Sequence, residues 1–288
     1  MNDLDRADYE FLLDHVRRAN EAGIPLVHLD QPLALWNYIR MANDIAGQVP
    51  PCDLLDWGCG LGQMTYLLRR RGFRVTSFDL GTDDVRFPDL PLWRGLHVVR
   101  TTDPIALPFA AGSFAAVLSC GVFEHVTEGD TPGDESASLR EIFRVLRPDG
   151  LFFVYQLPQR NAWQEALIRR FRLGYSHPRR FSRREIVAIL SENGFVVQRM
   201  RHGNMVPKNL SGMPGWIKNG YRHATPILAL CDTLCCRVPG LNRISGTLEV
   251  TARRESAADA DPGRTPEARD HVPAECVALH SAPVGGSH

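Results

Sequence analysis

The sequence predicts an α/β protein with a mostly parallel sheet and helices on both of its faces. Short apolar runs with the length of buried strands alternate with longer segments of helical periodicity. The first complete unit is a strand, a glycine-rich turn and the start of a helix, which is the arrangement of nucleotide-binding sheets. A run of alternating apolar and polar residues at 244–253 predicts a closing strand.

The strongest functional signal lies between residues 52 and 79. Cys52–Trp57 is a predicted buried strand, and Gln63–Arg71 is a predicted helix. The turn between them carries glycines at alternate positions, namely Gly58, Gly60 and Gly62. Glycines allow the backbone to turn sharply and to approach a ligand closely, and a helix N-terminus presents unpaired N–H groups. A second predicted strand, 73–78, leads to Asp79, whose spacing suits a carboxylate that accepts the hydroxyls of a ribose.

The turn differs from the dinucleotide fingerprint, and its sequence, DWGCGLG over Asp56–Gly62, resembles motif I of the class I S-adenosylmethionine-dependent methyltransferases. Further motifs follow in the order of that family: Asp103–Phe109 (DPIALPF), Ser113–Ser119 (SFAAVLS), Phe123–Val126 (FEHV), Leu139–Gly150 (LREIFRVLRPDG) and Phe181-Ser182. The resemblance covers roughly residues 50–200. It implies a Rossmann-like, mostly parallel seven-stranded sheet with its last strand antiparallel, and S-adenosyl-L-methionine as the cofactor.

The resemblance also implies which residues bind the cofactor. Asp79 would accept the ribose hydroxyls, and Asp103 would accept a hydrogen bond from the adenine amino group. Pro104 departs from the family pattern because a proline has no N–H to donate to adenine. The full set of expected cofactor residues is Asp56, Gly58, Cys59, Gly60, Gly62, Asp79, Leu80, Asp103, Pro104, Ser119 and Cys120.

The candidate catalytic residues follow the predicted fourth strand and precede a later helix. His125 is expected at the carboxyl edge of the sheet, where an imidazole can remove a proton from an acceptor. The alternative is that the pair Glu124-His125 packs beside the cofactor methionine and orients the loop. Tyr175 and His177 lie just before Phe181-Ser182, in a loop that approaches the acceptor in the family. No metal site is predicted.

The chain divides into three predicted parts. Residues 1–48 form an N-terminal helical cap, which either covers the cofactor or packs as a layer on the sheet. Residues 49–254 form the methyltransferase domain with an insert at 203–240, whose apolar content suggests a hydrophobic acceptor or a partner surface. Residues 255–288 are rich in Ala, Pro, Gly and Ser, which predicts a disordered tail.

Composition narrows the classes of partner. Lys+Arg and Asp+Glu are both 33, and this balance argues against a nucleic-acid partner. Lysine occurs only at 208 and 218, whereas arginine is dense at 169–184, either as an anion or membrane-surface patch or as a solvated face. Seven cysteines without a signal peptide favour a cytoplasmic protein. No apolar run has bilayer length, peripheral membrane contact stays open, and the oligomeric state is not determined.

The sequence therefore predicts methyl transfer to a small-molecule acceptor, such as a lipid, a glycan or a secondary metabolite, by in-line displacement. A second hypothesis is a cofactor-binding scaffold without catalysis that acts on a partner through the insert. A third is a methyltransferase for protein or RNA that uses the arginine-rich segment.

Overall fold

The computed structural model describes residues 2–24, 26, 28–82, 88–128, 133–172, 175–208, 210 and 213–255. The predicted disordered tail lies outside the described residues apart from Glu255. Residues 83–87, between β2 and β3, also lie outside them.

A seven-stranded sheet organises the described part of the chain. Its strands are β1 Asp53–Trp57, β2 Arg74–Leu80, β3 Val98–Thr101, β4 Phe114–Cys120, β5 Leu146–Pro158, β6 Phe195–Gly203 and β7 Thr247–Arg254, in the spatial order β3-β2-β1-β4-β5-β7-β6. Strands β1 to β5 pair in parallel, and β7 pairs antiparallel with both β5 and β6. The predicted fold class is confirmed. Strand order reverses between β1 and β4, which opens a crevice at their carboxyl ends.

Helices cover both faces of this sheet. They are α1 Asp3–Glu21, α2 Pro32–Ala46, α3 Gln63–Arg70, α4 Glu135–Val145, α5 Trp163–Phe171, α6 Arg183–Glu192, α7 Gly215–His223 and α8 Thr225–Cys235, with short 3-10 turns at Phe123–His125 and Leu241–Ile244. Helices α1, α2 and α3 bury apolar side chains on one face, where Leu12, Met41 and Leu67 are fully buried. Helices α4 and α6 do the same on the other face.

The two N-terminal helices are tied to the sheet domain by a buried ion-pair network. The Arg71 guanidinium, just after α3, is 2.9 Å from carboxylate oxygens of both Asp5 and Asp8 on α1. The Arg71 side chain is only 4% exposed, so these charges are largely shielded from solvent. Helices α1 and α2 therefore form a layer packed on the sheet, and their role as a cap over the cofactor stays a prediction.

Three elements differ from the sequence prediction. Asp79 lies inside β2, which runs on to Leu80, rather than after the strand. Helix α5 was not predicted, although Trp163, Leu167 and Phe171 recur at helical spacing; its only buried residue is Glu165. The segment between β6 and β7 spans 204–246 and contains α7 and α8, which bury almost no apolar side chain.

No helix among the described residues combines the length and the apolar character that crossing a bilayer requires.

Candidate cofactor and acceptor site

The glycine turn after β1 is held in a left-handed conformation. Gly58, Gly60 and Gly62 have φ values of +71°, +50° and +79°. A Cβ at Gly58 would lie 2.5 Å from a Val122 methyl carbon, and one at Gly62 would lie 2.6 Å from a Leu96 methyl carbon. A Cβ at Gly60 would meet nothing within 4 Å, so Gly60 faces open space. The outer two glycines allow close packing, and the middle one exposes backbone to a ligand.

The carboxylate of Asp79 is in direct contact with this turn. Its Oδ2 accepts a hydrogen bond of 3.0 Å from the Gly60 amide, and its Oδ1 accepts one of 2.8 Å from the Leu80 amide. The backbone amides of Gly58 and Cys59 donate to the carbonyl oxygen of Phe78. The end of β2 therefore fixes the glycine turn, and a charged acceptor stands at its rim.

Asp56 lies beneath the turn rather than beside the open space. Its side chain is 1% exposed, and its Oδ2 accepts a hydrogen bond of 2.6 Å from the Thr65 hydroxyl. Burial, with a smaller contribution from the charge of Asp79, raises the pKa of Asp56 to about 6. The hydrogen bond joins the end of β1 to α3, so Asp56 positions the turn.

The loop after β3 shows how adenine recognition departs from the family pattern. Oδ1 of Asp103 accepts hydrogen bonds from the amides of Ile105 and Ala106 at 2.8 and 2.9 Å, which hold the pKa of Asp103 below its usual range. These two amides are thus engaged by Asp103 itself. Pro104, with no N–H, and Leu80, which is 50% exposed, both line the adjacent open space.

A cavity of about 320 Å³ connects these groups with the turn after β4. Six predicted cofactor residues line it: Gly58, Gly60, Asp79, Leu80, Asp103 and Pro104. His125 and Glu128 line the same cavity. Its apolar wall includes Trp57, Phe78 and Val122, which sequence reasoning missed because their pattern is that of ordinary core residues. The volume is at the lower end of the roughly 300–1,000 Å³ typical of ligand pockets.

Two histidines lie close to each other beside the cavity, and a carboxylate holds each of them. The Nδ1 atom of His125 is 2.8 Å from Glu128, and the Nδ1 atom of His177 is 2.8 Å from Glu165. The two rings lie 5.6 Å apart between centroids. Because Nδ1 of each ring is engaged, Nε2 of each is left to act on a ligand.

The electrostatics of this cluster favour proton exchange. Burial alone would lower the pKa of His177, but its hydrogen bond to Glu165 and the negative charges of Glu165, Glu124 and Glu128 raise it. Burial raises the pKa of Glu124 to about 7. One ligand atom each from Glu124, His125 and His177 lies within 4.8 Å of the others, an arrangement that could hold a metal ion.

Tyr175 lies beside the two histidines. Its hydroxyl donates to the Glu128 carboxylate at 3.0 Å, and its ring is 5.2 Å from that of His177. Burial, followed by the hydrogen bond to Glu128, raises the pKa of Tyr175 to about 12. The structure thus brings the three predicted catalytic residues together, with Glu128 and Glu165 as partners that sequence reasoning missed.

Five predicted cofactor residues lie outside the cavity lining, and one of them is Asp56, beneath the turn. Cys59 and Ser119 are buried, and the Ser119 hydroxyl has no hydrogen-bond partner. Cys120 ends β4 just before Gly121, which does line the cavity. Gly62 packs against Leu96.

Some arginines of the arginine-rich segment 169–184 form contacts within the protein. Arg179 forms ion pairs with Glu135 at 2.6 Å and with Glu185 at 2.7 Å, and its guanidinium lies over the Phe181 ring. Arg169 and Arg170 lie on α5. Arg179 is therefore not a free cation for an anionic acceptor.

Comparison with known proteins shows similarity to methyltransferases. Residues 55–154 match a family model described as a methyltransferase domain. The chain is 31% identical over 142 residues to a ubiquinone biosynthesis O-methyltransferase of Caulobacter vibrioides, covering 44% of this chain and 54% of the relative. It is 29% identical over 166 residues to a probable S-adenosylmethionine-dependent methyltransferase of Mycolicibacterium smegmatis, covering 56% and 57%. The chain thus spans little more than half the length of these relatives.

Among solved structures, a SAM-dependent methyltransferase from Archaeoglobus fulgidus superposes with a TM-score of 0.50 at 15% identity, covering 76% of this chain and 93% of that one. This likeness concerns the fold. The cofactor of the matched domain is S-adenosyl-L-methionine, which suits the open Gly60 and the adjoining Asp79 carboxylate. The match of residues 55–154 to a methyltransferase domain and the likeness to these relatives support the class I S-adenosylmethionine-dependent methyltransferase family.

Proposed function

We propose that this protein transfers the methyl group of S-adenosyl-L-methionine to a small-molecule acceptor, such as a lipid, a glycan or a secondary metabolite. One observation carries the proposal. The glycine turn, Asp79, His125 and Glu128 all line a single cavity. A cofactor held by the turn and Asp79 would therefore share that cavity with groups that can take up a proton.

The residues divide the work of the reaction between binding and proton transfer. When bound, S-adenosyl-L-methionine supplies an electrophilic methyl on a positively charged sulfur, which departs with the bonding electron pair as a neutral thioether. Gly60 and Asp79 would hold the adenosine, and Asp103 would accept from the adenine amino group. The apolar wall of Trp57 and Phe78 would exclude water. Much of the rate then comes from holding the nucleophile and the methyl carbon in line.

Proton removal falls to the histidine pair. As the acceptor atom bonds to the methyl carbon, its proton would pass to Nε2 of His125 or His177. Glu128 and Glu165 would keep Nε2 available by holding Nδ1, and Tyr175 would position Glu128. The name of the Caulobacter relative, an O-methyltransferase, supports an oxygen acceptor.

Two alternatives carry different expectations. A scaffold that binds the cofactor without catalysis has no use for a carboxylate-held imidazole, His125, in the cavity lining. A protein or RNA acceptor would use exposed cations, and Arg169, Arg170, Arg183 and Arg184 are exposed, whereas Arg179 is paired internally. The six described cysteines are all free, which supports a cytoplasmic location.

The test combines binding with transfer. Calorimetry with S-adenosylhomocysteine should give a 1:1 complex, and methyl-labelled cofactor should transfer label to the small-molecule fraction of a cell extract. Label that appears only in protein or RNA would contradict a small-molecule acceptor. Binding without any transfer would favour the scaffold. The matched variant is His125→Asn combined with His177→Gln, which should keep binding and lose transfer.

A further inference from the structure

The segment that follows β6 is held in place residue by residue. The carbonyl oxygen of Met205 accepts hydrogen bonds from Trp163 at 2.9 Å and from Gln164 at 3.0 Å. The amide of Val206 donates to Asp232 at 2.8 Å. The carbonyl oxygen of Pro207 accepts from the Tyr221 hydroxyl. Helices α5, α7 and α8 thus fix this segment from two sides, immediately before Lys208.

Despite this rigid support, the ammonium of Lys208 has no partner. Its Nζ atom is buried and makes no hydrogen bond within the part of the chain that the structure describes. The acids whose charges act on it, Glu249 and Asp232, are engaged elsewhere. Glu249 is paired with Arg40, and Asp232 accepts from the Val206 amide. A buried ammonium without a partner is costly, so a fold that holds one rigidly is prepared for an anion.

The position of Lys208 ties it to the methyl-transfer edge. Its charge acts on the thiol of Cys120, at the carboxyl end of β4, next to the cavity-lining Gly121. Gln156 donates to the Cys120 sulfur at 3.5 Å, and its backbone has a left-handed φ of +59° at an irregularity of β5. Such strain in a non-glycine residue is typical of ligand sites.

A second orphaned polar atom lies at the same edge. Oε1 of Gln63, at the first turn of α3, is buried without a hydrogen bond. Gln63, Cys120, Gln156 and Lys208 each keep part of their surface accessible. They come from α3, β4, β5 and the insert, and of these β4 and α3 meet the edge where strand order reverses, since β4 ends on Cys120 and α3 begins at Gln63.

We propose that the Lys208 ammonium binds a carboxylate. The carboxylate is contributed either by the amino-acid end of the cofactor or by an acidic acceptor. This inference rests on the proposed function, and it adds that binding of the carboxylate requires the positive charge of Lys208. The insert between β6 and β7 then serves the site directly, since it carries a cation to the edge at which the methyl group is transferred.

The chain offers a matched pair of variants, since its two lysines differ in surroundings. Lys208→Met removes the unpaired ammonium, and Lys218→Met removes one that is 3.3 Å from Asp30. Calorimetry compares S-adenosylhomocysteine with 5′-methylthioadenosine, which shares the adenosine and the sulfur but lacks the carboxylate. If the cofactor supplies the carboxylate, Lys208→Met weakens S-adenosylhomocysteine binding about tenfold or more and leaves 5′-methylthioadenosine binding unchanged. Lys218→Met changes neither.

If the acceptor supplies the carboxylate, S-adenosylhomocysteine binding is unchanged, and the protein saturated with it binds benzoate more tightly than benzamide. Lys208→Met then abolishes that preference, and Lys208→Arg retains part of it. Thermal melting checks the fold, and Lys208→Gln replaces the methionine variant should that one not fold. The proposal is overturned if removing the ammonium changes neither S-adenosylhomocysteine nor benzoate binding. A wild-type chain that binds neither adenosine ligand overturns the proposed function and this proposal together.

Discussion

The two ends of the cavity are built in different ways. The predicted cofactor end consists mainly of residues 53–80, a contiguous β1–α3–β2 unit in which the working groups are largely backbone amides around one carboxylate, with Asp103 and Pro104 added after β3. The predicted acceptor end is assembled from side chains on separate segments, which are the turn after β4, helix α5 and residues 175–177.

This difference teaches how each end tolerates change. A backbone site depends on local conformation, so it fails when a side chain is added where only hydrogen fits. A side-chain site depends on pairs of charges brought together by the fold, so it fails when one partner is removed and the other is left unpaired. Substitutions at the two ends should therefore be separable by stability, binding and titration measurements.

The largest expected effect comes from adding a methyl group to the glycine turn. Gly58→Ala places a Cβ 2.5 Å from Val122 and should lower the free energy of unfolding by about 4 kcal/mol through strain and overpacking. Gly60→Ala has the same positive-φ penalty but open space, and should cost only about 1 kcal/mol while weakening S-adenosylhomocysteine binding. Urea unfolding and calorimetry measure both. Equal losses of stability would contradict the assigned division of roles.

Next in size is the pH dependence of stability that Asp56 confers. Its folded-state pKa of about 6 lies above the usual 3.8, so the folded state retains a proton that the unfolded state has lost. The apo-protein should therefore lose about 3 kcal/mol as pH rises from about 4 to about 6. Asp56→Asn should remove that loss, since an amide oxygen can still accept from Thr65.

Asp53 on the same strand is the control for this measurement. Its hydrogen bonds with Arg74 and then Arg147 hold the pKa of Asp53 below the usual value, so its contribution to stability is lost as pH falls. Asp53→Asn should thus change the pH profile in the opposite sense. If the stability profiles of Asp56→Asn and wild type run parallel between pH 4 and 6, burial does not raise the pKa of Asp56.

A smaller effect is expected for ligand binding at the rim of the turn. Asp79→Asn keeps one oxygen but loses the charge and the second acceptor, so S-adenosylhomocysteine affinity should fall about 10- to 100-fold. Asp89→Asn, at an exposed carboxylate paired with Arg94, should leave affinity unchanged. Equal affinities of wild type and Asp79→Asn would place the cofactor elsewhere.

The same contrast explains how much of the molecule could be predicted from its sequence. The fold class and the close approach of Asp79 to the glycine turn follow from a short unit, because strand, turn and helix lengths leave few geometries. The partners at the acceptor end follow from no local pattern. Glu165 is the one buried residue of α5 and lies outside the apolar positions Trp163, Leu167 and Phe171, so no periodic pattern singles it out. Lys208 gains meaning only once Trp163, Tyr221 and Asp232 are seen to fix the backbone before it.

The smallest effect tests whether Glu165 sets the protonation of the acceptor end. Burial alone would lower the pKa of His177, and the hydrogen bond and charge of Glu165 reverse that shift. Because the folded-state pKa is raised, protonated His177 stabilises the fold at pH values below the unfolded-state pKa near 6.5. This contribution to stability is lost as the pH rises through the folded-state pKa. In EDTA-treated protein, the His177 ring protons followed by NMR should titrate at lower pH in Glu165→Gln than in wild type. Glu192→Gln, at an exposed position on α6, should titrate as wild type does. If the His177 titration is unchanged in Glu165→Gln, the charges of Glu124 and Glu128, rather than Glu165, raise the pKa of His177. The proton-accepting groups would then depend on the turn after β4 alone.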